Sequence, residues 1–460
     1  MTAPDSPSVA AAAPPADPGP VTGPGPSAGQ AAGQSAGQSV ETPIAHRVAL
    51  SVARLLGADR VTGLGVAVSG GSDSVALMHL LAPIARDRGL TLRVATVDHG
   101  LRPEAPDEAA GVAAKARALG LAHETLQWQG WDGQGNLQAR ARDARYRLLA
   151  GWASEQGLSH VALGHTADDQ AETLLMRLAR GAGVDGLSAM PGRRLVEGTV
   201  FLRPLLDETR QGLRDLLAGQ GIGWVDDPGN DDTRFDRVRA RQALAALSQI
   251  GLDRAALRQV AQNMTEARKA LRWQTHLAAR DCVTLCHGDV VIDRARLLLQ
   301  PDEIIRRLIL HGLEWISGAA YPPRRRPVLQ LIAAIKAGEG GVLHGCRILC
   351  EQPSHLRILR EGAALDGLRA APGSVWDNRW RLIGPAAAAA DLHVAALGPS
   401  GLAQCPDWRA TRLPRHSLEA SPALWRGADL VAAPLAGRSA GWRLLPARPP
   451  EDFFLRLMSQ

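Results

Sequence analysis

The residues with chemistry in them begin at Ser69. Ser69-Gly70-Gly71-Ser72-Asp73-Ser74 follows an apolar run ending at Val68 and opens a helix-patterned stretch. A helix starting there turns its unpaired N–H groups and its positive dipole end toward the loop. Gly70 and Gly71 let the backbone approach an anion without Cβ obstruction, and Ser69, Ser72 and Ser74 add hydroxyl donors. The spacing predicts a phosphate cradle for a nucleotide. The lysine of a GxxxxGK[ST] loop is missing, which excludes Walker-type binding. Asp73 inside the cradle would repel phosphate unless a divalent cation lay between them. Mg²⁺ held by one or two carboxylates plus phosphate oxygens meets that need. A plain helix-capping turn is the competing reading of any lone Ser-Gly pair.

The elements that must position this loop alternate. From about 45 to 245, short apolar runs ("GLGVAVS", "LTLRVATVDHG", "AHETLQW", "SHVALGHTADD", "TVFLRPLL", "GIGWVDDP") are separated by helical periods over 72–88, 105–119 and 136–155, with Asn136 as an N-cap. Strands alternating with helices predict an α/β fold with a doubly wound, mostly parallel sheet. Ligands in such sheets sit beyond the carboxyl ends of the strands, where the unusual polar motifs fall. Residues 1–44 are Ala, Pro, Gly, Ser and Gln with almost no large apolar side chain, and read as a disordered tail. Residues 250–365 read as a basic helical domain, and 370–460 as a small β-containing module.

The chain has 460 residues, a formal net charge of +6 and five cysteines. A mildly basic balance permits a polyanionic partner. An odd, sparse cysteine count argues against a disulfide framework and for a reducing compartment. No apolar run approaches a membrane span, and no secretory signal is visible, so the expectation is a soluble, cytoplasmic protein without a membrane partner. Cys282/Cys286 and Cys346/Cys350 form two C-x₃-C pairs, which read as buried small hydrophobes ahead of a metal site.

Further polar clusters stand at the later strand ends. "VDHGLR" holds Asp98, His99 and Arg102; "ARDARY" holds Arg142, Arg145 and Tyr146; "LGHTADDQAET" holds His165, Asp168, Asp169 and Glu172; "DDPGNDDTRFDRVRAR" holds Arg237 and Arg241. The Ser69–Ser74 loop is similar to the PP-loop of N-type ATP pyrophosphatases. The ordered set from about Gly65 to Arg241 resembles the tRNA(Ile)-lysidine synthase family. Two positions depart from its pattern: Gly229 where serine is usual, and Val238 where asparagine is frequent.

The resemblance implies an enzyme that uses ATP to adenylate the C2 oxygen of cytidine 34 in the CAU anticodon of tRNA(Ile). The amine of L-lysine then displaces AMP to give lysidine. Asp169 and Glu172 lie three apart and share one helix face. One carboxylate would hold Mg²⁺ with Asp73. The other would bind or orient the lysine ammonium group and take its proton. Helix N-terminal charge complementarity is the plainer alternative for these acids. Arg142, Arg145 and Arg102 are candidate counter-charges for the reacting phosphates, and Arg237 is assigned near the reacting nucleotide. Asp98, His99 and His165 are assigned with the loop to ATP. Arg241 and the "PPRRRP" arginines, Arg324, Arg325 and Arg326, are candidate RNA contacts. Two other functions fit a PP-loop: a tRNA thiolase, which would need essential cysteines, and a non-catalytic tRNA-binding protein with a degenerate ATP site.

Overall fold

The computed structural model describes residues 42–100, 103–129, 137–226, 236–319, 321–351, 354–385 and 391–459. Arg102, Asn136, Gly229 and nearly all of the expected tail lie outside the described residues. Helix α1 (Ile44–Leu56) is followed by β1 (Gly63–Ala67), α2 (Ser72–Asp87), β2 (Thr91–Asp98), α3 (Ala105–Ala118), β3 (Ala122–Gln127), α4 (Leu137–Glu155), β4 (His160–Leu163) and α5 (Ala167–Ala179). Short α6 (Val184–Leu187), strands β5 (Arg193–Val196) and β6 (Thr199–Leu202), α7 (Arg210–Gly219) and α8 (Asp236–Leu247) complete this part. Among the described residues the strands form one six-stranded sheet in the order β3-β2-β1-β4-β6-β5, parallel except for β5 against β6.

β1 and β4 are buried along their whole lengths, which is why both read as continuous apolar runs instead of alternating ones. The chain runs outward from β1 through β2 to β3, then returns to place β4 on the other side of β1. The loops after β1 and β4 therefore diverge and leave a crevice between them.

The segment "GIGWVDDP" does not close the set of strands as the sequence suggested. Residues 222–226 have no regular structure, and 227–228 lie outside the described residues. β5, not this segment, pairs with the free edge of β6. The Val225 N–H donates instead to the carbonyl of Gly70 at 3.0 Å, which ties this stretch to the phosphate loop.

Helix α9 (Arg254–Cys282) runs straight into a second sheet. Its strands are β7 (Val283–Cys286), β8 (Asp289–Asp293), β9 (Gly341–Leu343), β10 (Cys346–Glu351) and β11 (His355–Arg360), all paired antiparallel in the order β7-β8-β11-β10-β9. Helices α10 (Arg294–Leu298), α11 (Asp302–Ser317) and α12 (Arg325–Ala337) lie between β8 and β9. The helical reading of 250–365 is thus incomplete. Short runs such as "CRILCE" and "HLRILR" fit either period until a partner strand buries Ile348, Leu356 and Ile358. Beyond residue 370 two further antiparallel sheets follow, each of three strands among the described residues. The last helix (Glu451–Ser459) returns to α9 and α11, where His276 Nδ1 lies 3.0 Å from the Phe454 carbonyl and His311 Nε2 lies 2.7 Å from that of Phe453. No described helix is long and apolar enough to cross a membrane.

The two parts meet through side chains. Ala171 and Leu174 of α5, Leu244 of α8, and Leu257 and Ala261 of α9 form one small apolar cluster beside the crevice.

Candidate active site

The crevice holds a cavity of about 590 Å³ lined by the phosphate loop, Arg145, His165, Asp169, Arg210, Arg237 and Arg241, among others. Its floor is the start of α2. Gly70 sits at φ +91°, a backbone state that disfavours any side chain. Gly71 has no such constraint: a Cβ there would meet nothing closer than 3.8 Å, so its contribution is open space above the helix end. Ser74 Oγ donates to the Gly71 carbonyl at 3.0 Å and accepts the Ser69 N–H at 3.1 Å, closing the loop on itself. The opposite wall is as close as backbone allows. A Cβ on Gly164, just past β4, would lie 3.0 Å from Ser74 Cα and 3.1 Å from the Asp73 carbonyl carbon and oxygen.

Acids gather at the start of α5. Thr166 and Asp169 form a capping box, with Asp169 Oδ2 accepting the Thr166 N–H at 2.8 Å. Helix capping is therefore a real role of Asp169, and its Oδ1 alone faces outward to another group: Arg210, 3.5 Å away. The same guanidinium lies 2.9 Å from Asp73 Oδ2 and 3.6 Å from Glu172 Oε1. Arg241 Nε also donates to Glu172 Oε1, at 3.0 Å, while Glu172 Oε2 is buried with no partner among the described residues. Burial pushes the Asp73 carboxyl above its ordinary range, against the pull of Arg210.

The sequence reading missed Arg210. In "DETRQGLRDLL" it looks like one more arginine on an amphipathic helix. The signal was its position as first residue of α7 after the N-cap Thr209, where the helix dipole disfavours a cation. Such a residue needs anions in front of it, and three carboxylates supply them.

Next to the acids lies a basic cluster. Burial, then Arg145, Arg203, Arg142 and Arg237, push His165 down to a pKa of about 2, so its ring is neutral at any working pH. Its Nδ1 is buried without a partner among the described residues. Arg203, itself buried, donates to the Tyr146 hydroxyl at 3.0 Å, and Arg142 sits over the Tyr146 ring at 5.4 Å.

The structure thus brings Ser69, Gly71, Ser72, Asp73, Ser74, Arg145, His165, Asp169, Arg237 and Arg241 to one cavity. It does not bring Gly70, Asp98, His99, Arg142 or Glu172 into that lining; Glu172 is buried behind it and reaches it only through Arg210 and Arg241. Asp98 Oδ1 accepts the Gly100 N–H at 2.8 Å, holding a turn at the end of β2, and His99 packs edge-on against Trp128. Arg142 is committed to the Tyr146 face. Arg324, Arg325 and Arg326 stand at the start of α12, exposed and without an ion pair to any described residue. The cysteines are free, and burial holds the Cys282 thiol up at about 11 and Cys346 at about 12, which makes neither a ready thiolate.

The family model for a PP-loop domain matches residues 44–247. A tRNA(Ile)-lysidine synthase of Ruegeria pomeroyi is 53% identical over 396 residues, covering 86% of this chain and 94% of the relative. The chain belongs to the tRNA(Ile)-lysidine synthase family. A second member, from Bradyrhizobium diazoefficiens, is 43% identical across 59% of this chain and 78% of its own length. Among solved structures, a U34-tRNA thiolase from Methanococcus maripaludis aligns with a TM-score of 0.42 and 16% identity over 48% of this chain and 79% of that one. The loop at Ser69–Ser74 lies inside the matched PP-loop domain, which makes ATP a substrate of the chain.

Proposed function

We propose that this chain joins L-lysine to C2 of cytidine 34 in the CAU anticodon of tRNA(Ile), in the cytoplasm. The observation that carries the reading is the meeting of the phosphate loop, through Asp73, with Asp169 and Glu172 at one guanidinium, that of Arg210. A nucleotide and a cationic amine are the ligands those two groups select.

In the first step the C2 oxygen of the cytidine attacks the α-phosphorus and the bond to the β-phosphate bridging oxygen breaks, releasing pyrophosphate. The loop N–H groups and the Ser69, Ser72 and Ser74 hydroxyls hold the β and γ phosphates, and Arg145 and Arg237 face the charge that develops. In the second step the lysine ammonium first gives up one proton, the freed nitrogen attacks C2, the C2–O bond breaks with AMP as leaving group, and a second proton passes from the nitrogen to water. Asp169 and Glu172 bind the substrate ammonium, and Glu172, whose Oε2 is unpartnered among the described residues, is placed to take the first proton. His165 is neutral and serves as a hydrogen-bond partner, not as a charge.

Mg²⁺ fits the donors present. Asp73 offers a carboxylate inside the phosphate loop, with phosphate oxygens and water left to complete an octahedron; Asp169 Oδ1, the second metal candidate, is assigned instead to the ammonium. It would shield phosphate charge from Asp73. Residues 45–245 form the catalytic domain in this reading. The basic region 250–365, with Arg324–Arg326 and Arg241, contacts RNA phosphates, and 370–460 is a separate small module.

The test is incubation with a CAU-anticodon isoleucine tRNA transcript, ATP, Mg²⁺ and labelled lysine. Label is expected at cytidine 34 with release of AMP and pyrophosphate. Pyrophosphate release without lysine incorporation overturns the assignment of the acceptor amine.

A further inference from the structure

Three carboxylates from two helices converge on one guanidinium, and that guanidinium belongs to the protein. We propose that Arg210 is a resident cation that holds the ammonium seat closed, and that it moves from the carboxylates to the nucleotide's phosphates when ATP enters, so that lysine binds well only to the ATP-loaded enzyme. The inference rests on the reading that Asp169 and Glu172 take lysine.

The anchoring of Arg210 permits such a move. Its backbone N–H is fixed by Asp168 Oδ2 at 2.8 Å, and Thr209 caps the helix by accepting the Gly212 N–H. The side chain alone spans the distance to the acids, so it can change partners without moving α7. The new partner would lie on the same side. Asp73 is part of the phosphate loop, and Arg214, one turn along α7, already reaches that loop at Ser72 Oγ, 3.4 Å away. One face of α7 therefore runs beside the phosphate cradle, and phosphates arriving there offer Arg210 a denser anion than the carboxylates do.

The carboxylates it would leave offer acceptors to an ammonium group. Asp169 Oδ2 is committed to Thr166, which leaves Oδ1. Glu172 contributes Oε2, buried and unpartnered among the described residues, although Oε1 of the same carboxylate has two arginine neighbours. An ammonium group carries three donors and no acceptor, and suits two such oxygens. The Arg210 guanidinium, beside Asp169 Oδ1 and Glu172 Oε1, and an ammonium on the same two carboxylates exclude one another, because like charges at contact distance in a half-buried crevice repel. Nucleotide and lysine are thereby coupled through one side chain with two anionic destinations.

The experiment is equilibrium dialysis of labelled lysine against the full-length protein, with and without Mg²⁺ and α,β-methylene ATP, for the wild type, Arg210→Met and Arg210→Gln. In the wild type the analogue should tighten lysine binding by about tenfold or more, and in either variant the two affinities should agree within about threefold, because the bare protein already exposes the seat. Arg210→Gln keeps hydrogen-bonding capacity without charge and serves where Arg210→Met fails to fold. Equal wild-type affinities with and without the analogue overturn the inference. So does a folded variant that binds lysine more weakly than bare wild type, which would make Arg210 a fixed clamp. Wild-type incorporation of lysine into the tRNA is measured alongside. Its absence refutes the proposed function itself, whereas incorporation with an unaltered variant refutes this inference alone.

Discussion

Asp168 Oδ1 lies 2.7 Å from Arg254 Nε, and the other oxygen of the same carboxylate receives the backbone N–H of Arg210. One buried side chain at the start of α5 therefore fixes the first residues of both α7 and α9. Asp168→Ala leaves a part-buried N–H without its acceptor and should cost about 1–2 kcal/mol in urea unfolding. Arg254 is 55% exposed, and Arg254→Ala should cost no more than about 1 kcal/mol. Equal losses for the two would show that the carboxylate acts only through the ion pair.

Asp73→Ala is expected to abolish pyrophosphate release while tRNA affinity, measured by filter binding, stays within about threefold of wild type. Asp73 is assigned to the nucleotide side of the crevice. A collapse of tRNA binding would contradict that assignment.

Gly164→Ala tests how tightly β4 abuts the phosphate loop. The added methyl meets backbone of Asp73 and Ser74, not a yielding side chain. Overpacking of this kind costs about 1–3 kcal/mol, and the displaced loop should weaken binding of an ATP analogue by about tenfold. Unchanged nucleotide affinity would place the phosphates away from the start of α2.

His165 gives a stability signature in acid. Its folded pKa of about 2 is below the ordinary 6.5, so between those values the unfolded chain binds the extra proton. Stability therefore rises with pH through this window and is flat above it. Lowering the pH from about 7 to about 5 should cost on the order of 2 kcal/mol through this residue. His165→Gln should remove that part of the slope, as read from urea midpoints at the two pH values. An unchanged slope would mean that the ring reaches solvent.

Arg324, Arg325 and Arg326 at the start of α12 make no ion pair with described residues. Changing all three to Ala should lower tRNA affinity and reduce the slope of log K against log salt by roughly 2–3, about 0.7–0.9 for each phosphate that is no longer neutralised. Weaker binding with an unchanged slope would argue for an indirect effect.

Much of this was legible in the sequence because it was local. The Ser69–Ser74 loop carries its own geometry, and β1 and β4 are continuous apolar runs because both faces are covered. Asp169 and Glu172 share a face by spacing alone. What could not be read was who stands opposite. Arg210 is 137 residues from Asp73 along the chain, and only the return of the chain from β3 to β4 and β6 brings them together. The same holds for Arg254 with Asp168. The second sheet was missed because its strands are short, three to six residues, so their period appears only once neighbours pair. Asp98 and His99 sit at a strand end like the other motifs, but the end of β2 is one strand removed from the crevice.

Helix α9 has 29 residues, and at about 1.5 Å per residue it is a rod of about 44 Å. Its first residue touches Asp168 and its last enters the second core. A lever arm of that length converts small angles into large displacements. If productive geometry tolerates about 0.5 Å, the rod can pivot about its far end by less than about one degree before Asp168 feels it. A tilt of the second sheet by a single degree about that end moves the start of α9 by about 0.8 Å, and is thus felt at the carboxylate that anchors Arg210.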